Sequence, residues 1–309
     1  MTDLLRVVEP GLFTTVQDLG RPHAIASGVP PGGAMDRFAH RAANLLVGNE
    51  PGAATLECTL RGPRLVAERA CLVAVTGADL DARVNGAPIE TWTGIELRAG
   101  DALAFGPRRD GARAYIAVAG GVAGDRWLGS LSTNLLAARG GMRGRPLRAG
   151  DVIAGEPPVR FGAGRHLAQH LRPDYRSRGL GVIAGPHFKR LRPDGQVALT
   201  QSPFTVSRDA DRMGYRLDGL PLDASGEEIL SFGLVAGSVQ VPPGGRPILL
   251  MADHQTAGGY PVVAVVVSAS LPVAAQLVPG DELRFEGRTP GEAAAARRAL
   301  DEALATLSD

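Results

Sequence analysis

The sequence predicts a mainly β protein with a few helices, arranged as two related β-barrels. Three observations carry that prediction. Glycine (41) and proline (23) are abundant among 309 residues and punctuate short β-like runs. A Gly-Asp turn before such a run occurs three times, in L-R-A-G-D-A-L-A-F (97–105), L-R-A-G-D-V-I-A-G (147–155) and V-P-G-D-E-L-R-F (278–285). The string V-P-P-G-G occurs twice, at 29–33 and 241–245. Repetition of both signals suggests a duplication, with periods too irregular for a solenoid. The apolar fraction of 44% and charged fraction of 21% fit a globular chain with a sizeable core.

The elements follow in order. Residues 35–46 read as a helix, with Phe38, Ala42, Leu45 and Leu46 on one face and Asp36 near its start. Runs 55–60, 70–75 and 114–118 read as strands. Cys58 and Cys71 fall on or beside the first two, as small buried hydrophobes and not as a disulfide framework. Segment 155–178, rich in Pro, Gly, Arg and His, marks the boundary between the halves. Its His166 and His170, at i, i+4 spacing, read as a solvent-exposed pair. Runs 197–200, 247–251 and 262–267 read as further strands, and 290–307 as an amphipathic helix. The expected domains are therefore a barrel over 1–158 that carries the 35–46 helix, a second barrel over 159–289 and a terminal helix over 290–309.

Charge excludes some partners. The formal net charge is +1, so the whole chain gives no reason to expect nucleic acid or an anionic membrane. Lys189 is the sole lysine, which leaves one candidate for a lysine nucleophile or Schiff base. The N-terminus lacks the basic and apolar regions of a signal peptide, and no apolar run reaches the ~18 residues of a membrane span, so the expected location is the cytoplasm. There is no H-E-x-x-H, C-x-x-C, G-x-S-x-G or G-x-x-x-x-G-K-[ST]. No metal site is expected, and any ATP would be bound by another chain.

The richest stretch is A-D-H-Q-T-A-G-G-Y-P, residues 252–261, set between two apolar runs. A polar cluster between buried strands lies at a sheet rim or in a cleft, because buried polar groups are costly unless paired. It reads either as a tight hairpin whose polar residues cap their own turn or as a binding site. Three further polar clusters flank β-like runs, at 14–21, 28–36 and 211–216. Val-Pro-Pro is rigid, and the glycines after it leave amides free to meet an anion or a carbonyl oxygen. Carboxylates and amides without an evident nucleophile suggest a site shared with a partner.

These clusters, in this order, resemble the family named variously allophanate hydrolase subunit 2, KipA and the C subunit of 5-oxoprolinase. The family is similar to the second half of the carboxyltransferase domain of urea carboxylase. Matching motifs are T-x-Q-D-x-G-R at 15–21, G-V-P-x-S-G-A-M-D at 28–36 and R-x-A-N-x-L-V-G-N at 41–49. S-D-R-M-G-x-R-L follows at 210–217, then Q-V-P-x-x-G-x-P-I at 240–248, D-R-Q-T-T-G-G-Y-P at 253–261 and the turn Pro279-Gly280-Asp281. The match runs from about Val7 to Phe285. Departures are Gly32 and Ala210 for Ser, His254 for Arg, Ala257 for Thr, and Asn134 where Asp is common. A neutral imidazole cannot grip a carboxylate as a planar guanidinium does.

The resemblance implies cyclophilin-like barrels and a partner similar to subunit 1 (KipI, the B subunit of 5-oxoprolinase). A third protein, similar to the A subunit of 5-oxoprolinase, would complete ATP-dependent opening of 5-oxoproline to glutamate. ATP would then be a cofactor of the complex. Implied catalytic residues are Asp36, Asp211 and Asp253. Arg212, Gln240, His254, Gln255, Thr256, Gly258, Gly259 and Tyr260 would bind substrate, with Arg212 on its carboxylate and the glycine amides on a carbonyl oxygen. Asp36 or Asp211 would move protons if its pKa is raised. Two alternatives follow from the same family: a biotin-dependent carboxyltransferase subunit, with biotin carried by another protein, and a non-enzymatic regulator that binds a KipI-like kinase inhibitor.

Overall fold

A computed structural model describes residues 1–156, 164–224 and 229–307. The expected boundary at 158/159 lies outside the described residues. The chain divides into two compact units. The first comprises Met1–Arg21, Gly32–Pro173 and Asp301–Asp309, and the second Pro22–Pro31 and Asp174–Leu300.

Among its described residues the first unit holds eleven strands in two antiparallel sheets. They are β1 (Thr2–Glu9), β2 (Phe13–Gln17), β3 (Thr55–Thr59), β4 (Arg64–Ala67), β5 (Cys71–Asp79), β6 (Ala82–Val84), β7 (Ala87–Pro88), β8 (Gly94–Leu97), β9 (Ala102–Phe105), β10 (Asp110–Val118) and β11 (Val152–Gly155). One sheet runs β11-β1-β4-β9-β6-β7 and the other β2-β3-β10-β5-β8. Their inner faces share one core that includes Leu5, Val7, Leu65 and Leu103 from the first sheet and Val16, Leu56, Val73 and Ile116 from the second. Cys58 and Cys71 are buried free thiols, and burial pushes both pKa values up, that of Cys71 to about 11.

Helix α1 (Arg37–Leu46) packs on β10, β5 and β3 of the five-stranded sheet. Asp36 is its N-cap, and its carboxylate accepts from the Ala39 amide at 2.9 Å. The expected apolar face is present, but His40 and Asn44 are buried as well, so the helix is covered nearly all round.

The second unit contains a closed seven-stranded barrel in the order β12-β19-β16-β17-β14-β13-β20. Its members are β12 (Gly179–Ala184), β13 (Phe204–Ala210), β14 (Gly214–Gly219), β16 (Ser238–Gln240), β17 (Ile248–Leu250), β19 (Val262–Val266) and β20 (Glu282–Gly287). Parallel pairing of β12 with β20 closes the ring. A separate ribbon pairs β15 (Phe232–Gly233) with β18 (Ala257–Gly258). Alternation fills the barrel interior: Phe204 and Val206, Leu283 and Phe285 point in, and the Phe204 and Phe285 rings meet at 5.6 Å.

Run 197–200, expected as a strand, lies inside helix α2 (Pro193–Gln201). Pro193 at the first helical position and Asp194 in the first turn start the helix, and these signals outweigh the β-branched ends of the short run. A short α3 (Leu271–Ala274) precedes β20, and α4 (Pro290–Ala305) follows it. No helix of the described residues is long and apolar enough to cross a membrane.

Candidate functional site

The strands β17 and β19, which flank the polar stretch 252–261, do not pair with each other. Both pair with β16, so the stretch crosses over an intervening strand and is not a tight hairpin. This crossing gives the stretch two neighbours. Ala257 and Gly258 pair with β15, and the segment after them returns beside β16. The Gln240 side-chain amide donates to the Tyr260 carbonyl at 3.5 Å, and the Val241 amide donates to the Pro261 carbonyl at 3.0 Å.

Those two contacts tie together opposite walls of a cleft of ≈680 Å³. One wall is the V-P-P-G-G copy at 241–245, and another is Gly259, Tyr260 and Pro261. Residues 221–224, Ile229, Ser231 and Arg190 complete it. The Gly245 amide closes the turn on the Pro242 carbonyl at 3.0 Å, and Gly244 and Gly245 adopt φ of 97° and 76°. A side chain on Gly258 would stand 2.9 Å from the Gln255 side-chain nitrogen and 3.1 Å from a Leu234 methyl, so those side chains would have to move aside. The first V-P-P-G-G copy, at 29–33, spans the division between the units and lies before α1.

Arg212 is buried, and its guanidinium forks onto Asp253: Nε to Oδ2 at 2.8 Å and Nη2 to Oδ1 at 3.1 Å. The Asp253 amide also donates to the Arg212 carbonyl at 2.8 Å. The β13–β14 turn is thus clamped to the start of the polar stretch. Asp211 is exposed and caps that turn, accepting from the Met213 and Gly214 amides at 2.7 and 3.2 Å. Asp253 thus engages the Nε–Nη2 edge of Arg212, and the Asp211 carboxylate holds its own turn.

His254 is buried, and its Nδ1 lies 2.7 Å from the Gln255 carbonyl. A carbonyl only accepts, so Nδ1 carries the proton and Nε2 the lone pair. Burial pushes the His254 pKa below the ordinary value against the pull of that carbonyl and of Asp253, which makes it a neutral imidazole at pH 7. The Thr256 carbonyl accepts from Leu234, and Gln255 and Tyr260 are exposed.

Of the expected site residues, Asp36 belongs to the first unit and the others to the second. Asp36 is fully buried at the edge of a polar network whose Glu57, His40 and Tyr115 were not among the expected site residues. Its amide donates to the Tyr115 hydroxyl at 2.7 Å, and that hydroxyl donates to Glu57 Oε2 at 2.8 Å. The Met35 amide reaches the same oxygen at 2.9 Å. His40 Nδ1 meets Thr55 Oγ1 at 2.9 Å, and burial lowers the His40 pKa to about 4. Burial, with the Glu57 and Asp36 charges, raises the Tyr115 pKa well above its usual value. Strand pairing explains the network: Thr15 lies opposite Glu57, Gln17 opposite Thr55, and Tyr115 opposite both Glu57 and Thr76. The signal was the alternation in T-T-V-Q and T-L-E-C-T, which suggests a solvated face, yet Thr15, Gln17, Thr55 and Glu57 are all buried.

Among the described residues no group of three or more His, Cys, Asp or Glu could hold a metal ion. Comparison with known proteins gives a consistent result. The family described as carboxyltransferase domain, subdomain A and B, matches residues 27–287. The chain is 37% identical over 298 residues to the C subunit of 5-oxoprolinase from Escherichia coli (strain K12), covering 96% of this chain and 94% of the relative. Its identity to the Haemophilus influenzae protein of the same name is 35%, over 92% of this chain and 91% of the other. The crystal structure of the K. lactis urea amidolyase superposes with a TM-score of 0.93 at 28% identity, covering 99% of this chain and 20% of that one.

Proposed function

The chain belongs to the carboxyltransferase family of subdomains A and B, and from that premise we propose that it is one component of a heteromeric ATP-dependent amidohydrolase that opens 5-oxoproline to glutamate. The observation that carries this reading is the 37% identity to the C subunit of 5-oxoprolinase across nearly the whole of both chains.

The cleft at 241–245 and 259–261 supports a small amide as ligand. Its walls combine proline and glycine backbone with the Tyr260 phenol, Ser231 and the charged Arg190 and Asp223, which suits a compact polar ligand. In this proposal Gly259, which lines the cleft where Gly258 does not, steadies the lactam carbonyl through its backbone, Gln240 holds the wall that carries Tyr260, and Arg190 on the same cleft supplies positive charge toward the substrate carboxylate. Asp253 acts through Arg212 as a positioning residue, and Asp36 and Asp211 anchor a helix and a turn. The group that activates water or phosphate then comes from a companion protein, similar to subunit 1 or to the A subunit of 5-oxoprolinase. The chain's residues do not fit ATP: its one lysine, Lys189, is exposed in a short 3-10 turn (Phe188–Arg190) and no phosphate loop accompanies it. ATP when bound by the complex would supply an activated carbonyl, and no step on this chain is assigned to it.

The test is glutamate release from 5-oxoproline by the reconstituted complex. Release that requires ATP and stops when this chain is omitted supports the proposal. A well-formed complex without turnover sinks it. Superposition on urea amidolyase over 99% of the chain favours a second reading, carboxyl transfer from biotin held on another protein. Transfer of labelled carboxylate from carboxybiotin to urea or an amide, dependent on this chain, would select that alternative.

A further inference from the structure

We propose that the long connection between β10 and β11 is a preformed docking surface for a companion protein that offers an apolar socket rimmed by carboxylates. The proposal rests on the multi-protein reading above and adds the place of contact. Residues 119–151 form no strand or helix beyond isolated bridges. Irregular connections of this length are uncommon in compact domains and are usually functional.

The connection is nonetheless held in one conformation. The buried Asp18 carboxylate accepts from the Ser130 hydroxyl at 2.7 Å, the Ser132 hydroxyl at 2.6 Å, the Leu131 amide at 2.6 Å and the Gly20 amide at 2.7 Å. These donors hold its pKa below the ordinary value although burial opposes that. Arg21, fully buried, donates to the Ser132 carbonyl and lies over the Trp127 ring at 4.9 Å. Leu128, Ala138 and Arg143 adopt φ of 48°, 51° and 56°, a left-handed conformation costly for residues with a side chain. A side chain at Gly144 would overlap the Ala138 backbone, so the connection also packs against itself.

This rigid root presents an apolar tip. Leu136 is 92% exposed, Leu135 45% and Leu128 42%. Between residues 119 and 151 there are five arginines and two acidic residues, Asp125 and Asp151, whereas the whole chain has 33 basic and 32 acidic residues. Arg145 is forked to Asp151 at 2.8 Å by its two terminal nitrogens; Leu135 and Leu136 lie in the turn that Asn134 and Arg139 close, Leu128 lies in the turn that Trp127 and Ser130 close, and Arg126, Arg139 and Arg143 are exposed. An acid-rimmed apolar socket complements this pattern. A second copy of the chain would bring like charges face to face. Nucleic acid would gain nothing from the leucines. Because the tip is already ordered, binding loses little conformational entropy.

The test measures binding of the folded chain, by calorimetry, to companions similar to the A and B subunits of 5-oxoprolinase. Leu136→Asp and Arg139→Glu should each weaken binding at least about tenfold, with thermal melts matching the unaltered chain. Leu136→Met should bind nearly as the unaltered chain does, and added salt should weaken the unaltered complex. Binding unchanged in both altered chains overturns the proposal, as does an equal loss with Leu220→Asp, an exposed leucine of the second unit. Failure of the unaltered chain to bind any companion overturns the multi-protein reading as well, and so separates the two failures.

Discussion

At the scale of the residue, burial decides what charged groups do. His40 is fully buried and neutral, with its pKa lowered to about 4 by desolvation. In the unfolded chain it titrates near its ordinary value of about 6.5. A lowered histidine pKa contributes stability that is complete above about 6.5 and is lost as pH falls toward 4. The expected loss is about 3 kcal/mol by pH 4. Urea unfolding of the native chain and of His40→Gln at pH 7 and pH 4.5 checks this: the native chain should lose more stability than the variant. The two thiols make a complementary case. Burial raises both pKa values, so neither should react with a thiol reagent at pH 8 in the folded chain, and both should react in denaturant. The Arg212–Asp253 fork shows how a buried charge depends on its partner. Asp253→Ala removes the fork and should cost about 2 kcal/mol. Arg212→Lys should fail to restore it, because an ammonium cannot span both oxygens; denaturant midpoints read both.

At the scale of the element, termini and strand faces matter most. Helix α4 begins with a reciprocal cap: the Thr289 amide and hydroxyl donate to Glu292 Oε2 at 2.7 and 2.9 Å, and the Glu292 amide returns to Thr289 Oγ1 at 3.3 Å. Thr289→Ala should cost about 1 kcal/mol and Thr289→Ser much less, measured by thermal unfolding. In the barrel, Phe285 packs on Phe204 with no exposure. Phe285→Ala should cost about 4 kcal/mol, the largest single effect expected in the second unit. These elements differ in how legible they were. Asp36 at the start of α1 and the alternation in β20 mark their elements in the sequence. The polar face of β2 and β3 does not, since Thr15, Gln17, Thr55 and Glu57 carry the same pattern as a solvated strand. Only the register that sets Glu57 opposite Tyr115 explains why they are buried.

At the scale of the whole molecule, the family is plain from the order of the motifs, and the 37% identity to the C subunit of 5-oxoprolinase agrees with it; of the two barrels expected, the second unit closes as a ring of seven strands, whereas the first is built as two sheets. The proposed division of labour predicts that Arg190→Ala raises KM for 5-oxoproline more than tenfold, about 1.4 kcal/mol, with less effect on kcat. Equal KM values in the reconstituted complex would remove Arg190 from the substrate. The sequence by itself determined the mainly β class, the two glycine- and proline-rich turns, the α1 helix and the membership of the family, because these depend on local pattern and on residues near each other in the chain. Tertiary structure alone decided which polar residues are free to act. Asp253 and Arg212 are 41 positions apart in sequence and share one fork in space, and Asp18 meets Ser130 and Ser132 across more than a hundred residues. A carboxylate is an acceptor wherever it lies; whether it meets a ligand or an arginine depends on strand order and register, which no short stretch of sequence contains.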